Sequence, residues 1–317
     1  MLKDNFCWEI AWAAQAACIL EADAPKVGNV NRWKDFSDCF LEDFHLSAVA
    51  IGPPFGLVKE QGVGETILRA IQATRQVVPT NTNLGIVLLL APLAKAWSRM
   101  SPKIWVDSGE GENKFPKHAR WTNEIAKVLQ GLTAEDTRLV YEAIRLAAPA
   151  GMGHVESYDV YREDYPEITL LEAMRLAAER DLIAQQYVTN FQLVLEVGTL
   201  ALVDALNAGL ALPEAIAHTH LFFLSQYPDS LITRKAGSKL SRKVQERAKT
   251  VWEQGGWLTQ VGRTLAAEFD SWLRKDGHRL NPGTTADLMA AVLFVMFLEH
   301  GPGLWAKNRP SNPVAIN

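Results

Sequence analysis

Apolar residues recur three and four positions apart along most of this chain, and no stretch keeps the two-residue alternation of a half-buried strand. Between residues 5 and 22, Trp8, Ala11, Trp12, Ala16, Ile19 and Leu20 fall at helical spacing. The same spacing predicts helices at about 40–51, 62–78, 86–97, 118–130 and 134–148, and again at 168–180, 182–208, 213–226, 239–254 and 257–275. Gly52-Pro-Pro54 is expected to end the second of these, because proline removes a backbone donor and crowds the preceding turn. Thr133-Ala-Glu-Asp136 has the form of a capped helix start. From Ala286 to Leu298 nearly every residue is apolar, which predicts a helix buried on all sides. The tail beyond Gly301 carries prolines and is expected to be loosely tied. Valine pairs such as Val77-Val78 sit inside helical patterns. The expectation is an all-α architecture of ten or more helices. No low-complexity linker divides the chain and no repeat recurs at a fixed period, so residues 1–317 read as a single domain.

Polar loops repeatedly lead into these apolar helices. The last, Asn281-Pro-Gly-Thr-Thr-Ala-Asp287, opens the most apolar helix, with Thr284 or Thr285 expected as its cap and Asp287 in its first turn. A carboxylate so near the core must be capped, paired or used, so Asp287 either offsets the helix N-terminus or belongs to a site. Residues 21–35 carry Lys26, Arg32 and Lys34, with Gly28 permitting close backbone approach and Asn29 and Asn31 supplying donors and acceptors. That loop is either an exposed connector or an anion cradle, and it lacks the G-x-x-x-x-G-K-[ST] of a P-loop. Gly62-Val-Gly-Glu65 and Pro79-Thr-Asn-Thr-Asn-Leu-Gly85 open two further helices. The glycine-rich stretch from Pro149 to Asp159 holds His154 and Glu156, which read as metal ligands or as a solvated loop. Asp229 stands at a helix N-cap, with Arg234 and Lys235 following.

Composition narrows the function classes. Over 317 residues, 48% are hydrophobic and 21% charged, which suits an ordinary globular protein with a sizeable core. A net charge of -4 argues against general nucleic-acid or anionic-membrane binding while leaving local basic groups free to take a small polyanion. The three cysteines, Cys7, Cys18 and Cys39, form no C-x-x-C pair and fit a reducing compartment. The N-terminus lacks the order of a signal peptide, and the apolar run Ile86–Ala94 falls short of a membrane span, so a cytoplasmic location is expected.

Taken together, the loops resemble the triphosphoribosyl-dephospho-CoA synthase family, whose members make the prosthetic-group precursor of citrate lyase and malonate decarboxylase. Ala24-Pro-Lys-Val-Gly-Asn-Val is similar to the family's P-K-P-G signature, and Gly62-Val-Gly-Glu65 to its G-x-G-E helix start. Asp229-Ser-Leu-Ile-Thr-Arg-Lys-Ala-Gly237 resembles D-[ST]-x-[IV]-x-[RH]-[RK]-x-G. Leu280-Asn-Pro-Gly-Thr-Thr-Ala-Asp-Leu resembles the most diagnostic element, N-P-G-x-[ST]-A-D-[LM], and Pro149-Ala-Gly-Met-Gly with Glu156 to Val160 adds a looser match to G-x-G-x-x-E-x-x-D-V. The chain departs from the pattern at Asn81-Thr-Asn-Leu-Gly85, where the family has N-T-H-K-G, and at Val27, which replaces the second proline. It is more similar to the family's archaeal and methylotroph-type branch.

The resemblance implies that the 2′-hydroxyl of dephospho-CoA attacks the anomeric carbon of ATP, adenine leaves, and the triphosphate stays on the transferred ribose. Such a displacement calls for a base, for carboxylates near an oxocarbenium-like sugar, and for Mg²⁺ on the triphosphate. Glu65, Asp229 and Asp287 are the expected catalytic residues, and with Asp159 the expected metal ligands. Lys26, Gly28, Asn29, Arg32, Asn81, Asn83, Arg234, Lys235 and Asn281 are the expected substrate and phosphate contacts. The missing His-Lys pair leaves room for another acceptor of the same ribosyl triphosphate. Two further readings are a nucleotide-binding helical protein without turnover and a helical scaffold whose junction carboxylates are only caps.

Overall fold

The computed structural model describes residues 6–100, 118–148, 160 and 167–310, and they form an all-α fold without strands. The first half contributes α1 (Trp8–Asp23), α2 (Leu41–Gly56), α3 (Val63–Val77), α4 (Leu84–Arg99), α5 (His118–Gln130) and α6 (Ala134–Ala147). The short α7 (Leu170–Ala177), α8 (Leu182–Val188) and α9 (Thr199–Asn207) follow. Then come α10 (Leu212–Gln226), α11 (Ser230–Ala236), α12 (Ser238–Glu253), α13 (Gln260–Leu273), α14 (Gly283–His300) and α15 (Gly303–Asn308).

The centre of the fold is α14. Every residue from Thr284 to Leu298 is buried except Asp287. Its uniformly apolar surface is covered by α1, α4, α8, α9, α10 and α11, each packed directly on it. Trp12 of α1 meets Phe297 edge to face at 5.3 Å between ring centroids, and Phe55 of α2 meets Phe294 at 6.3 Å. Among the described helices α14 alone is long and apolar enough to cross a membrane, and the bundle buries 78% of it.

Two helices run through prolines, and the reason lies outside each helix. Pro53 and Pro54 do not end α2, which continues to Gly56. Pro53 cannot donate to the carbonyl of Val49, and Gln15 of α1 donates to that carbonyl at 3.0 Å instead. In α4, Pro92 leaves the carbonyl of Leu88 without its helical donor, and the Tyr187 hydroxyl from α8 supplies one at 2.7 Å. Sequence patterning marks the interruption; tertiary contact repairs it.

The single helix expected over 182–208 is broken. Asn190 and Phe191 take left-handed backbone angles (φ 51° and 61°), and the chain turns by 104° before a π turn, Leu193–Gly198, leads into α9. Phe191 is fully buried, 5.6 Å from the Tyr187 ring, so its packing outweighs the cost of the unusual backbone. The tail beyond Gly301, expected to be loose, begins with the short α15, anchored by buried Leu304.

Replacing Tyr187 by Phe removes the hydroxyl that donates to the Leu88 carbonyl while leaving the ring in place. The expected loss is about 1–3 kcal/mol, the cost of a buried carbonyl left without a partner. Urea unfolding of the variant measures it.

Candidate active site

The helix starts of α4, α8, α11 and α14 meet the end of α1 around a cavity of about 690 Å³. One side is polar, with Glu21, Lys26, Asp181, Arg234, Lys235 and Asp287. The other is apolar, with Ile86 from α4, Val140 and Ile144 from α6, Leu170 and Met174 from α7, and Ile183 from α8.

The start of α14 is set by Asp229. Its Oδ1 accepts from the Ile232 N–H at 3.0 Å, capping α11. Its Oδ2 accepts from both the N–H and the hydroxyl of Thr285, each at 2.8 Å, so the same carboxylate caps α14. The threonines do not cap their own helix. Thr284 Oγ1 instead accepts from the Leu231 N–H at 3.1 Å, completing a reciprocal clasp between the two helix starts. Asp229 is fully buried; burial pushes its pKa up, and these donors pull against that rise.

Because α14 begins at Gly283, Asp287 lies one turn deeper than expected and is not a first-turn acid. It is half-buried in the cavity wall and accepts no hydrogen bond from any described residue. Burial pushes its pKa well up, the negative charges of Glu21, Asp229 and Asp181 add to the rise, and Arg234 opposes it. Gly85 explains how α4 comes so near: a side chain there would collide with Asp287 Oδ2.

Lys26 is buried in the same wall, with its ammonium 3.1 Å from Glu21 Oε1 and donating to the Glu21 carbonyl. Burial lowers the Lys26 pKa and raises that of Glu21, and each charge offsets the other's shift. Arg234 reaches the cavity from α11, held by Asp181 Oδ2 at 2.9 Å, while Asp181 Oδ1 caps α8. The Lys235 ammonium donates to the His278 carbonyl at 3.2 Å, and burial lowers its pKa. Asn29 donates to Asn281 Oδ1 at 3.2 Å, and Asn83 to Thr74 Oγ1 at 2.9 Å. The amide oxygens of Asn29 and Asn83 are buried without a hydrogen-bond partner among the described residues, so each amide is held through its NH₂ group alone.

Several expected members stand elsewhere. Glu65 is not among the cavity residues: it sits on α3, 2.7 Å from Arg69 one turn on, because the Gly62–Glu65 start packs against α6 rather than the cavity. Asp229 has its oxygens occupied by three capping donors, the N–H groups of Ile232 and Thr285 and the Thr285 hydroxyl, and is not among the cavity residues. Arg32 is exposed and paired with Asp23 at 2.5 Å. Gly28 lies behind the loop, donating its N–H to Asp270 at 2.7 Å. Asp159, His154 and Glu156 lie outside the described residues. Of the expected metal ligands, Glu65, Asp229 and Asp287 do not converge, and no three His, Cys, Asp or Glu side chains form a metal cluster among the described residues. Lys26, Asn29, Asn81, Asn83, Arg234, Lys235, Asn281 and Asp287 do line one cavity.

Sequence reasoning missed Glu21, Arg180 and Asp181. Glu21 was hidden by its place in an apolar helix, five residues before Lys26. Arg180-Asp181-Leu182 carries a readable signal, an N-cap aspartate before a helical run.

Asp229 and Asp287 are expected to separate cleanly on substitution. Asp229→Ala removes caps from two helices and should cost about 2–4 kcal/mol. Asp287→Asn should behave oppositely. A carboxyl with a raised folded-state pKa favours folding at acid pH and loses that advantage as pH rises through the raised value. Melting temperatures of wild type and Asp287→Asn should agree at low pH and diverge in the variant's favour as pH rises.

Residues 7–305 match the family described as CitG, ATP:dephospho-CoA triphosphoribosyl transferase. A crystal structure from Archaeoglobus fulgidus, provisionally described as a triphosphoribosyl-dephospho-CoA synthase, is 26% identical with a TM-score of 0.58. The similarity covers 80% of this chain and 98% of that one. No curated protein matches the chain. With nearly its whole length matched, this chain belongs to the CitG family of ATP:dephospho-CoA triphosphoribosyl transferases.

Proposed function

We propose that this protein transfers the triphosphoribosyl group of ATP to the 2′-hydroxyl of 3′-dephospho-CoA and releases adenine. The observation that supports this reading is the gathering of four distant loops on one cavity, where Asp287, a carboxylate without a hydrogen-bond partner among the described residues, shares the wall with the acids Glu21 and Asp181 and the cations Lys26, Arg234 and Lys235.

In this reading Arg234, Lys235 and Arg180 take the triphosphate at the polar side, where Asp181 already fixes the direction of the Arg234 guanidinium. The acceptor's hydroxyl oxygen forms a bond to the anomeric carbon as the bond from that carbon to adenine breaks, and adenine departs with the electron pair and takes up a proton from solvent to leave as the neutral base. Asp287 takes the hydroxyl proton. Its raised pKa makes it a stronger base than a solvated carboxylate while it remains able to hold the proton it receives. Its negative charge also favours the cationic character that builds on the sugar. The apolar side of the cavity suits the uncharged arm of the acceptor and keeps water from competing for the anomeric carbon.

Among the described residues no three His, Cys, Asp or Glu side chains converge to hold a metal, so Mg²⁺ would enter the cavity on the triphosphate, held by phosphate oxygens and waters rather than by a protein cage. When bound, the ion supplies neutralisation of the triphosphate charge.

Incubation with ATP, Mg²⁺ and dephospho-CoA should release free adenine, and Asp287→Asn should lower turnover by about 10²–10⁴-fold. A base role predicts that loss at saturating Mg²⁺; a ligand role predicts a higher Mg²⁺ requirement instead. ATP binding without adenine release, across acceptors bearing a ribose 2′-hydroxyl, would replace transfer by a nucleotide-binding role.

A further inference from the structure

Helix α13 contributes no side chain to the cavity, yet its last turn grips the loop that does. Asp270, buried in that turn, accepts from the Gly28 N–H at 2.7 Å and from Arg274 Nε at 2.9 Å through Oδ1, and from Lys34 Nζ at 2.7 Å through Oδ2. Arg274 also donates to the Asn29 carbonyl, and its guanidinium lies 4.9 Å from the centre of the Phe36 ring. The next link in the chain of contacts is Asn29 to Asn281, at the start of the α14 loop.

Gly28 fits this clamp for two reasons. Its φ of +73° is a left-handed angle, and a Cβ there would lie 2.7 Å from Leu273 and 2.9 Å from Pro282. The turn is thus wedged between the end of α13 and the start of α14. Lys26 lies two residues before it and Asn29 one after, both in the cavity wall.

We infer that Asp270, acting with Arg274, is a positioning residue: it fixes the Gly28–Asn29 turn and so places Lys26 and Asn29 in the wall of the nucleotide cavity. This inference rests on the nucleotide reading of that cavity. The Gly28 and Arg274 bonds carry the effect. The Lys34 contact is largely exposed, with about half of that side chain open to water, and contributes little. Burial alone would raise the Asp270 pKa, but hydrogen bonds from Lys34, Gly28 and Arg274 outweigh it and hold the carboxyl below its ordinary value.

The test compares Asp270→Ala, Asp270→Asn and Lys34→Met with wild type, by calorimetric ATP titration with Mg²⁺ and by amide hydrogen exchange over residues 26–31. Asp270→Ala should weaken ATP binding about tenfold and speed exchange in that segment. Asp270→Asn, which keeps an acceptor for the Gly28 N–H, should recover part of both effects. Lys34→Met should stay within about twofold of wild type, as expected for an exposed ion pair. A dissociation constant is insensitive to a small loss of folded protein corrected for active fraction, so a lower melting temperature with unchanged affinity overturns the positioning role. Unchanged exchange in Asp270→Ala overturns the clamp itself, whatever ATP does. Wild type that fails to bind ATP overturns the nucleotide reading and the placement inference with it, while the exchange result still decides whether Asp270 holds the loop.

Discussion

The fold turns on one buried carboxylate that serves two helices. Asp229 caps α11 with one oxygen and α14 with the other, and the α14 threonines return the exchange through Leu231. Burying a charged carboxylate is unfavourable unless donors surround it, and here the donors are the otherwise unpaired N–H groups of two helix starts. The arrangement fixes where α14 begins. It therefore fixes where Asp287 points, one turn further along.

A second constraint follows from that position. Asp287 emerges from a helix whose other central residues are all buried, so its carboxylate has only the cavity to face. The glycine at 85 allows the start of α4 to come against it, and no donor among the described residues satisfies it. Two acids at adjoining helix starts thus end in opposite conditions. Asp229 is saturated with hydrogen bonds and structural; Asp287 is left with unused acceptor capacity and a raised pKa, the combination associated with proton transfer at a site.

Much of the helical architecture was legible because helical periodicity and capping are local. Thr133 and Asp136 form the expected capping box of α6, and the apolar run after Ala286 is the expected core helix. The errors fell where distant contacts override local rules. Pro54 was read as a stop because nothing local shows that Gln15 stands ready to serve the carbonyl freed at Val49. The break at Asn190–Phe191 was invisible because Phe191 keeps the helical apolar pattern while its burial, not its spacing, decides the backbone.

The candidate site divides in the same way. The sequence by itself determined which loops carry charge, which helices are apolar, and that Lys26, Arg234, Lys235, Asn281 and Asp287 stand at junctions between the two. Only the tertiary structure decided which junctions meet: it left Glu65 on another face beside Arg69, spent Asp229 on two helix starts, and brought Glu21 and Asp181 to the cavity. The physical reason is that residue type and spacing set what a side chain can do, while the free valences of its neighbours after packing set what it has left to do.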